Sequence, residues 1–267
     1  MLLAIDVGNT NIVLGVFEGS ELIRSWRLQT MRERTADELG LAVDGLFVHS
    51  RIDQARIEGV VLGSVVPPLT MTVVGMLWKY FGRKALVVDP AGNSGMPILY
   101  SNPSEVGADR IVNAIAAFEQ YGGDGRPLIV CDFGTATTLD AVSGKGEYLG
   151  GAICPGVAIS ADALFQRAAR LPRIEVRKPD TVIGRTTVGA MESGLFFGYV
   201  GMVEGLVRRM DVELGGNAVC VATGGLAVMI APETKLFAHV DVELTLQGLR
   251  IVWERNQVSR KSQVTSQ

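Results

Sequence analysis

Two short runs, Asp6-Val7-Gly8-Asn9-Thr10-Asn11 and Asp132-Phe133-Gly134-Thr135-Ala136-Thr137, carry the residue types of an anion-binding turn. A glycine two residues after the aspartate lets backbone N–H groups approach an anion, and small hydroxyl or amide side chains add donors. An aspartate at a strand end beside a phosphate is a natural magnesium ligand, which makes Asp6 the candidate for a divalent ion. One such turn on its own is an ordinary β-turn. Two of them in register within an internal repeat point to nucleotide binding. A third cluster, Gly107-Ala108-Asp109-Arg110, sets a carboxylate and a guanidinium side by side at the head of an apolar-periodic segment. Ile111, Ala114, Ile115 and Phe118 recur at i, i+3, i+4 and i+7, which predicts a helix started by Asn102-Pro103-Ser104. Asp109 then projects about 170° from the centre of the apolar stripe. The helix dipole keeps a carboxylate there ionised, which suits a general base taking a hydroxyl proton in phosphoryl transfer. Spacing alone equally allows a solvated helix carboxylate, and Arg110 a surface arginine.

The elements that must position these residues follow from the patterning. Leu2 to Ile5, Ile12 to Phe17 and Leu22 to Leu28 read as three strands of a meander. Thr35 to Ser50 reads as a helix, Val60 to Leu62 as a strand, Leu69 to Phe81 as a helix and Ala85 to Val88 as a strand. The order recurs in Pro127 to Cys131, Thr138 to Val142, Glu147 to Ile153, Val219 to Ala222 and the apolar Leu226 to Ile230. Setting Asp6 against Asp132 aligns Gly8 with Gly134 and Val16 with Val142. The expectation is a duplicated α/β unit. Its domains are residues 1–118 and 128–253, with a Gly/Pro-rich hinge at 119–127 and a frayed tail at 254–267.

Composition narrows the class. The 267 residues include 25 Lys+Arg and 28 Asp+Glu, a net charge of −3, with no block of five like charges. Nucleic-acid and anionic-membrane partners therefore have no electrostatic footprint. Glycine, 32 residues, is well above the usual ~7% and predicts tight turns and close backbone approaches. Three scattered cysteines and two histidines show no zinc spacing and fit a reducing cytosol. Cys131, Cys154 and Cys220 read as small core residues. The segment Gly59 to Trp78 is uncharged and long enough to cross a bilayer, but Pro67-Pro68, Gly63 and Ser64 break it. The N-terminus has no basic region of a signal peptide, and the expected location is the cytoplasm.

A helix from about Val188 to Met210 carries Gly194, Gly198, Gly201 and Gly205 within roughly 60° of one another on the helical wheel. Such a face costs about 0.8–1.0 kcal/mol per residue relative to Ala, so another surface must pack on it closely. Either a neighbouring element of the same domain or a second copy of the chain would serve. Thr186 or Thr187 would cap this helix.

The paired turns, with Val221-Ala222-Thr223-Gly224-Gly225 as a nucleoside-packing segment, resemble the acetate kinase, sugar kinase, Hsp70 and actin superfamily. That resemblance implies duplicated ribonuclease-H-like domains, the actin-like ATPase fold, with an interdomain ATP cleft. The runs Asp6 to Phe17, Gly107 to Ala117, Asp132 to Val142, Gly150 to Gly156 and Gly184 to Gly205 together resemble type III pantothenate kinases. The resemblance implies ATP-dependent phosphorylation of pantothenate, the first step of coenzyme A synthesis, by a homodimer. It also implies a divalent cation, Mg2+, and a monovalent one, K+ or NH4+. By the same resemblance ATP is held by Asp6, Val7, Gly8, Asn9, Thr10, Asn11, Ile12, Val13 and Thr135. Pantothenate is lined by Tyr100, Gly107, Ala108, Asp109 and Arg110, with Thr187 reaching it across the dimer interface, and Asp132 holds the monovalent cation. Two other functions use the same residues: a non-catalytic ATP-sensing regulator, and a kinase of another small hydroxy acid. A pure sensor needs the phosphate turns but not Asp109 aimed at an acceptor.

Overall fold

In the first unit, β1 (Leu2–Val7), β2 (Asn11–Glu18) and β3 (Glu21–Gln29) form an antiparallel meander. The chain then passes through α1 (Ala36–His49) to β4 (Gly59–Ser64), and through α2 (Pro67–Met76) to β5 (Leu86–Val87). Both helical crossovers give parallel pairing, and the sheet order is β3-β2-β1-β4-β5. The computed structural model describes residues 1–264, with side chains for residues 1–258. Leu3, Ile5 and Val7 of β1 and Ile12, Leu14 and Val16 of β2 alternate onto one face and meet Leu39, Val43 and Phe47 of α1. Thr35 and Glu38 form a reciprocal capping box that fixes where α1 begins.

The second unit repeats the plan. β6 (Leu128–Phe133), β7 (Ala136–Val142) and β8 (Tyr148–Pro155) form the meander, followed by α4 (Val157–Arg167) and α5 (Thr187–Glu213). β9 (Val219–Thr223), α6 (Ala227–Ile230) and β10 (His239–Val240) complete a sheet of order β10-β9-β6-β7-β8. Read from the meander inward, both sheets have the same order and the same parallel and antiparallel pairs, as a duplication requires. No helix among the described residues is long and apolar enough to cross a membrane.

The structure corrects three expectations. First, the repeat register holds for β1 and β6 but slips in the following strand. Leu3 pairs with Val16, and its counterpart Ile129 pairs with Ala141, so Val16 matches Ala141 and not Val142. The second turn is one residue shorter than the first: Gly8 N–H donates to the Asn11 carbonyl, whereas Gly134 N–H donates to that of Ala136.

Second, the division between units does not fall in the glycine-rich segment. It falls inside the next helix, α3 (Ala108–Tyr121), between Ala116 and Ala117, and again between Glu243 and Leu244. Gly122 to Pro127 is a turn within the second unit, closed by Gly125 N–H on the Gly122 carbonyl. Third, the supposed tail is helical. α7 (Leu244–Val264) returns to the first unit, where Leu246, Leu249 and Trp253 fill the spaces over Gly15, Gly63 and Gly59. Its buried apolar positions precede Glu254, and beyond them Asn256 donates to the Asn93 carbonyl, so the docked helix runs on past its apolar face. Residues 265–267 of that expected tail lie outside the described residues.

Candidate active site

The first turn sits at the carboxyl end of β1. Val7 and Ile12 are buried in the core, which leaves only their backbone for a ligand, while Asn9 and Thr10 are exposed. Gly8, Asn11 and Val13 are half-buried around them. Asp6, also half-buried, stands beside the end of β4: a Cβ on Gly63 would lie 3.9 Å from its Oδ1. Thr30, directly after β3, ties this turn down through its hydroxyl to the Gly8 carbonyl and its N–H to the Thr10 carbonyl. Sequence reading missed Thr30, because a lone threonine after a strand carries no signal of its partner.

The start of α3 comes to the same end of that sheet. Val65 N–H donates to the Val7 carbonyl, and a Cβ on Gly107 would lie 3.3 Å from Val65 Cγ1. Asn102 does not start this helix. Its side chain caps a separate 3-10 turn, Pro103–Glu105, and the α-helix begins at Ala108. Every residue from Ile111 to Ala117 is buried, Asn113 included, and Glu119 and Gln120 near the helix end are exposed. Asp109 is half-buried at its first turn, and Arg110 is buried rather than a surface arginine. Asp109 Oδ1 accepts the Arg110 N–H at 2.8 Å. Burial nevertheless pushes the Asp109 carboxyl above the ordinary aspartate range, and the Arg110 N–H bond and charge only partly offset it. A carboxyl raised in this way is better matched to taking a proton near neutral pH. Tyr100 is 37% exposed in the segment before α3, beside the exposed Leu99.

In the second unit, Asp132 lies at the end of β6, half-buried, and Thr135 is exposed in the shorter turn. Two glycines shape this corner. Gly224 has φ +91° and its missing side chain leaves the space taken by Asp132 Oδ1 and by Phe133 backbone. Gly156, at the start of α4, lies under the turn: a Cβ there would come within 2.8 Å of the Gly134 carbonyl. Thr187 is exposed at the first turn of α5. Its neighbour Thr186 is the cap, accepting the Gly189 N–H at 3.0 Å. Thr187 lies at the rim of an apolar cavity of about 520 Å³ lined by Leu164, Leu171, Ala190, Met191 and Leu195. Cys131 and Cys220 are buried, and burial raises both thiols, Cys220 to about 11.

No group of three His, Cys, Asp or Glu side chains that could hold a metal occurs among the described residues. A divalent ion on Asp6 would therefore complete its shell with phosphate oxygens and water, which is how magnesium is ordinarily held in kinases. The single carboxylate fits that ion.

The profile of the type III pantothenate kinase family matches residues 2–209. A type III pantothenate kinase of Moorella thermoacetica is 56% identical over 256 residues, covering 96% of this chain and all of that protein. Among solved structures, a conserved putative Baf family transcriptional activator from Campylobacter jejuni superposes with TM-score 0.61 at 19% identity, over 96% of this chain and 98% of that one. An inorganic polyphosphate/ATP-glucomannokinase from an Arthrobacter strain gives TM-score 0.50 at 16% identity, over 96% and 98%. These likenesses carry the fold of duplicated ribonuclease-H-like domains, and the close sequence match over nearly the whole length carries more. The chain belongs to the type III pantothenate kinase family.

Proposed function

We propose that this chain transfers the γ-phosphoryl group of ATP to pantothenate, giving 4'-phosphopantothenate for coenzyme A synthesis in the cytoplasm. The observation that carries the reading is the half-buried Asp109 beside the buried Arg110, at the sheet end that also bears the first turn. Asp109 orients the attacking primary hydroxyl and takes its proton, and Arg110, with Gly107, Ala108 and Tyr100, holds the acceptor. The backbone of Asp6 to Val13 receives ATP, Asp6 carries the magnesium, and Thr135 steadies the phosphates from the second turn. Divalent charge at that point neutralises phosphate oxygens, the main requirement of phosphoryl transfer. Asp132, held in one position over Gly224, is the ligand for potassium or ammonium.

The same proposal extends to a homodimer. Cβ atoms on Gly194, Gly198 and Gly201 would meet nothing within 4 Å, and all three residues are exposed. Packing within the unit therefore does not account for this part of the glycine face, which supports packing by a second copy. Thr187, at the start of the same helix, then reaches the neighbour's acceptor pocket. An ADP-release assay with pantothenate, with and without potassium, tests the activity. ATP binding without pantothenate-dependent ADP release would favour the non-catalytic regulator instead.

A further inference from the structure

We propose that Gly107 is the positioning residue for Asp109: its missing side chain leaves the volume into which the Asp109 carboxylate folds. This rests on the assignment of Asp109 as the base. Gly107 occupies the N-cap of α3, with its carbonyl accepting the Ile111 N–H at 3.3 Å. Helices ordinarily place Ser, Thr, Asp or Asn at that position, and α1 and α5 of this chain do so with Thr35 and Thr186. Backbone strain does not explain the exception, because Gly107 is not among the glycines with positive φ. The space around it does. A Cβ on Gly107 would come 2.5 Å from Asp109 Oδ1 and 3.6 Å from its Cγ.

That oxygen is the one fixed by the Arg110 N–H at 2.8 Å. The carboxylate thus stands in for the cap, folded back over the helix start. Any side chain at position 107 must displace it or compete for the same N–H group. On the far side, Val65 Cγ1 at 3.3 Å closes off a retreat of the new atom toward the sheet. The collision falls on the far end of a side chain, so the fold tolerates the substitution while the carboxylate moves.

Gly107→Ala is expected to lower kcat by about tenfold or more, since a misplacement near 1 Å can cost on the order of a hundredfold. The KM for ATP and the melting temperature stay near wild type. In an Asp109→Asn background the same change is expected to cost far less in kcat than it does in the wild type. Gly107→Ser, which supplies an ordinary cap, should be at least as stable as the wild type and still slow. Independently of activity, carboxyl NMR of aspartate-labelled protein, with the Asp109 signal assigned by its loss in Asp109→Asn, should show that titration shifted in Gly107→Ala. An unchanged titration, unchanged kcat, or an equal loss in both backgrounds overturns the proposal. Full turnover by Asp109→Asn alone ends the assignment of the base instead, and leaves the shifted titration to stand or fall by itself.

Discussion

The Thr30 hydroxyl donates to the Gly8 carbonyl at 2.7 Å while the Thr30 N–H donates to the Thr10 carbonyl at 2.9 Å. Peptide units are planar and trans, so a carbonyl aimed at Thr30 turns the following N–H the opposite way. The Asn9 and Asn11 N–H groups are therefore held facing away from β3, where an anion would meet them. Thr30→Val keeps shape and removes the hydroxyl bond, a loss of about 0.5–1.5 kcal/mol. The expected result is a KM for ATP raised severalfold, with kcat and the KM for pantothenate near wild type. An unchanged KM for ATP would dissociate Thr30 from the turn's function.

Asp109→Asn is expected to lower turnover at least about a hundredfold, the usual scale of a general base, and to leave ATP binding intact. Near-normal turnover would remove Asp109 from the mechanism. The same variant has a stability signature. Burial sets the folded-state carboxyl above its unfolded value, so folding favours the protonated form. That contribution is complete below the unfolded pKa and is lost as pH rises through the folded one. Asparagine stays neutral throughout. The melting temperature of Asp109→Asn relative to wild type should therefore climb across the carboxylate range and level off above it. A flat difference would contradict the raised carboxyl.

The sites were legible wherever local backbone chemistry makes a residue type obligatory. Gly224 needs glycine for its φ of +91° and for the space given to Asp132. Gly150 sits at φ +124° opposite the register shift between Ala141 and Val142. Such constraints write themselves as Asp-x-Gly and Gly-Gly runs. What escaped depends on distant partners. The slip between Val16 and Ala141 follows from one deleted turn residue, which residue types alone do not reveal. The helical crossing at Ala116 carries no Gly or Pro because a continuous helix, and not a loose linker, joins the units. α7 looked like a tail because its apolar face is short and its mates, Gly15, Gly59 and Gly63, lie about two hundred residues earlier.

Monovalent-cation dependence is expected from the second turn. Activity should be weak in sodium or Tris and rise with potassium or ammonium, while Asp132→Asn flattens that response. Because Asp132 Oδ1 fills the space beside Gly224, the carboxylate has little freedom to follow an ion of another size, and selectivity should be visible in initial rates. Full wild-type activity in potassium-free buffer would sink the assignment of the cation to Asp132.

Gly198→Leu addresses assembly. A side chain at position 198 meets nothing within 4 Å in its own chain, so the isolated fold should accept leucine. An isologous interface across a two-fold axis meets the same change twice, with overpacking of about 1–3 kcal/mol at each copy. Sedimentation at micromolar concentration should show a wild-type dimer and a folded Gly198→Leu monomer, and the monomer should lack kinase activity because Thr187 no longer reaches its neighbour. Ala190, one helical turn from Thr187 at the rim of the apolar cavity, offers a second position where a bulky residue should act alike. A wild-type monomer with full activity would defeat the shared site, whereas an active Gly198→Leu dimer would place the two-fold contact on another face.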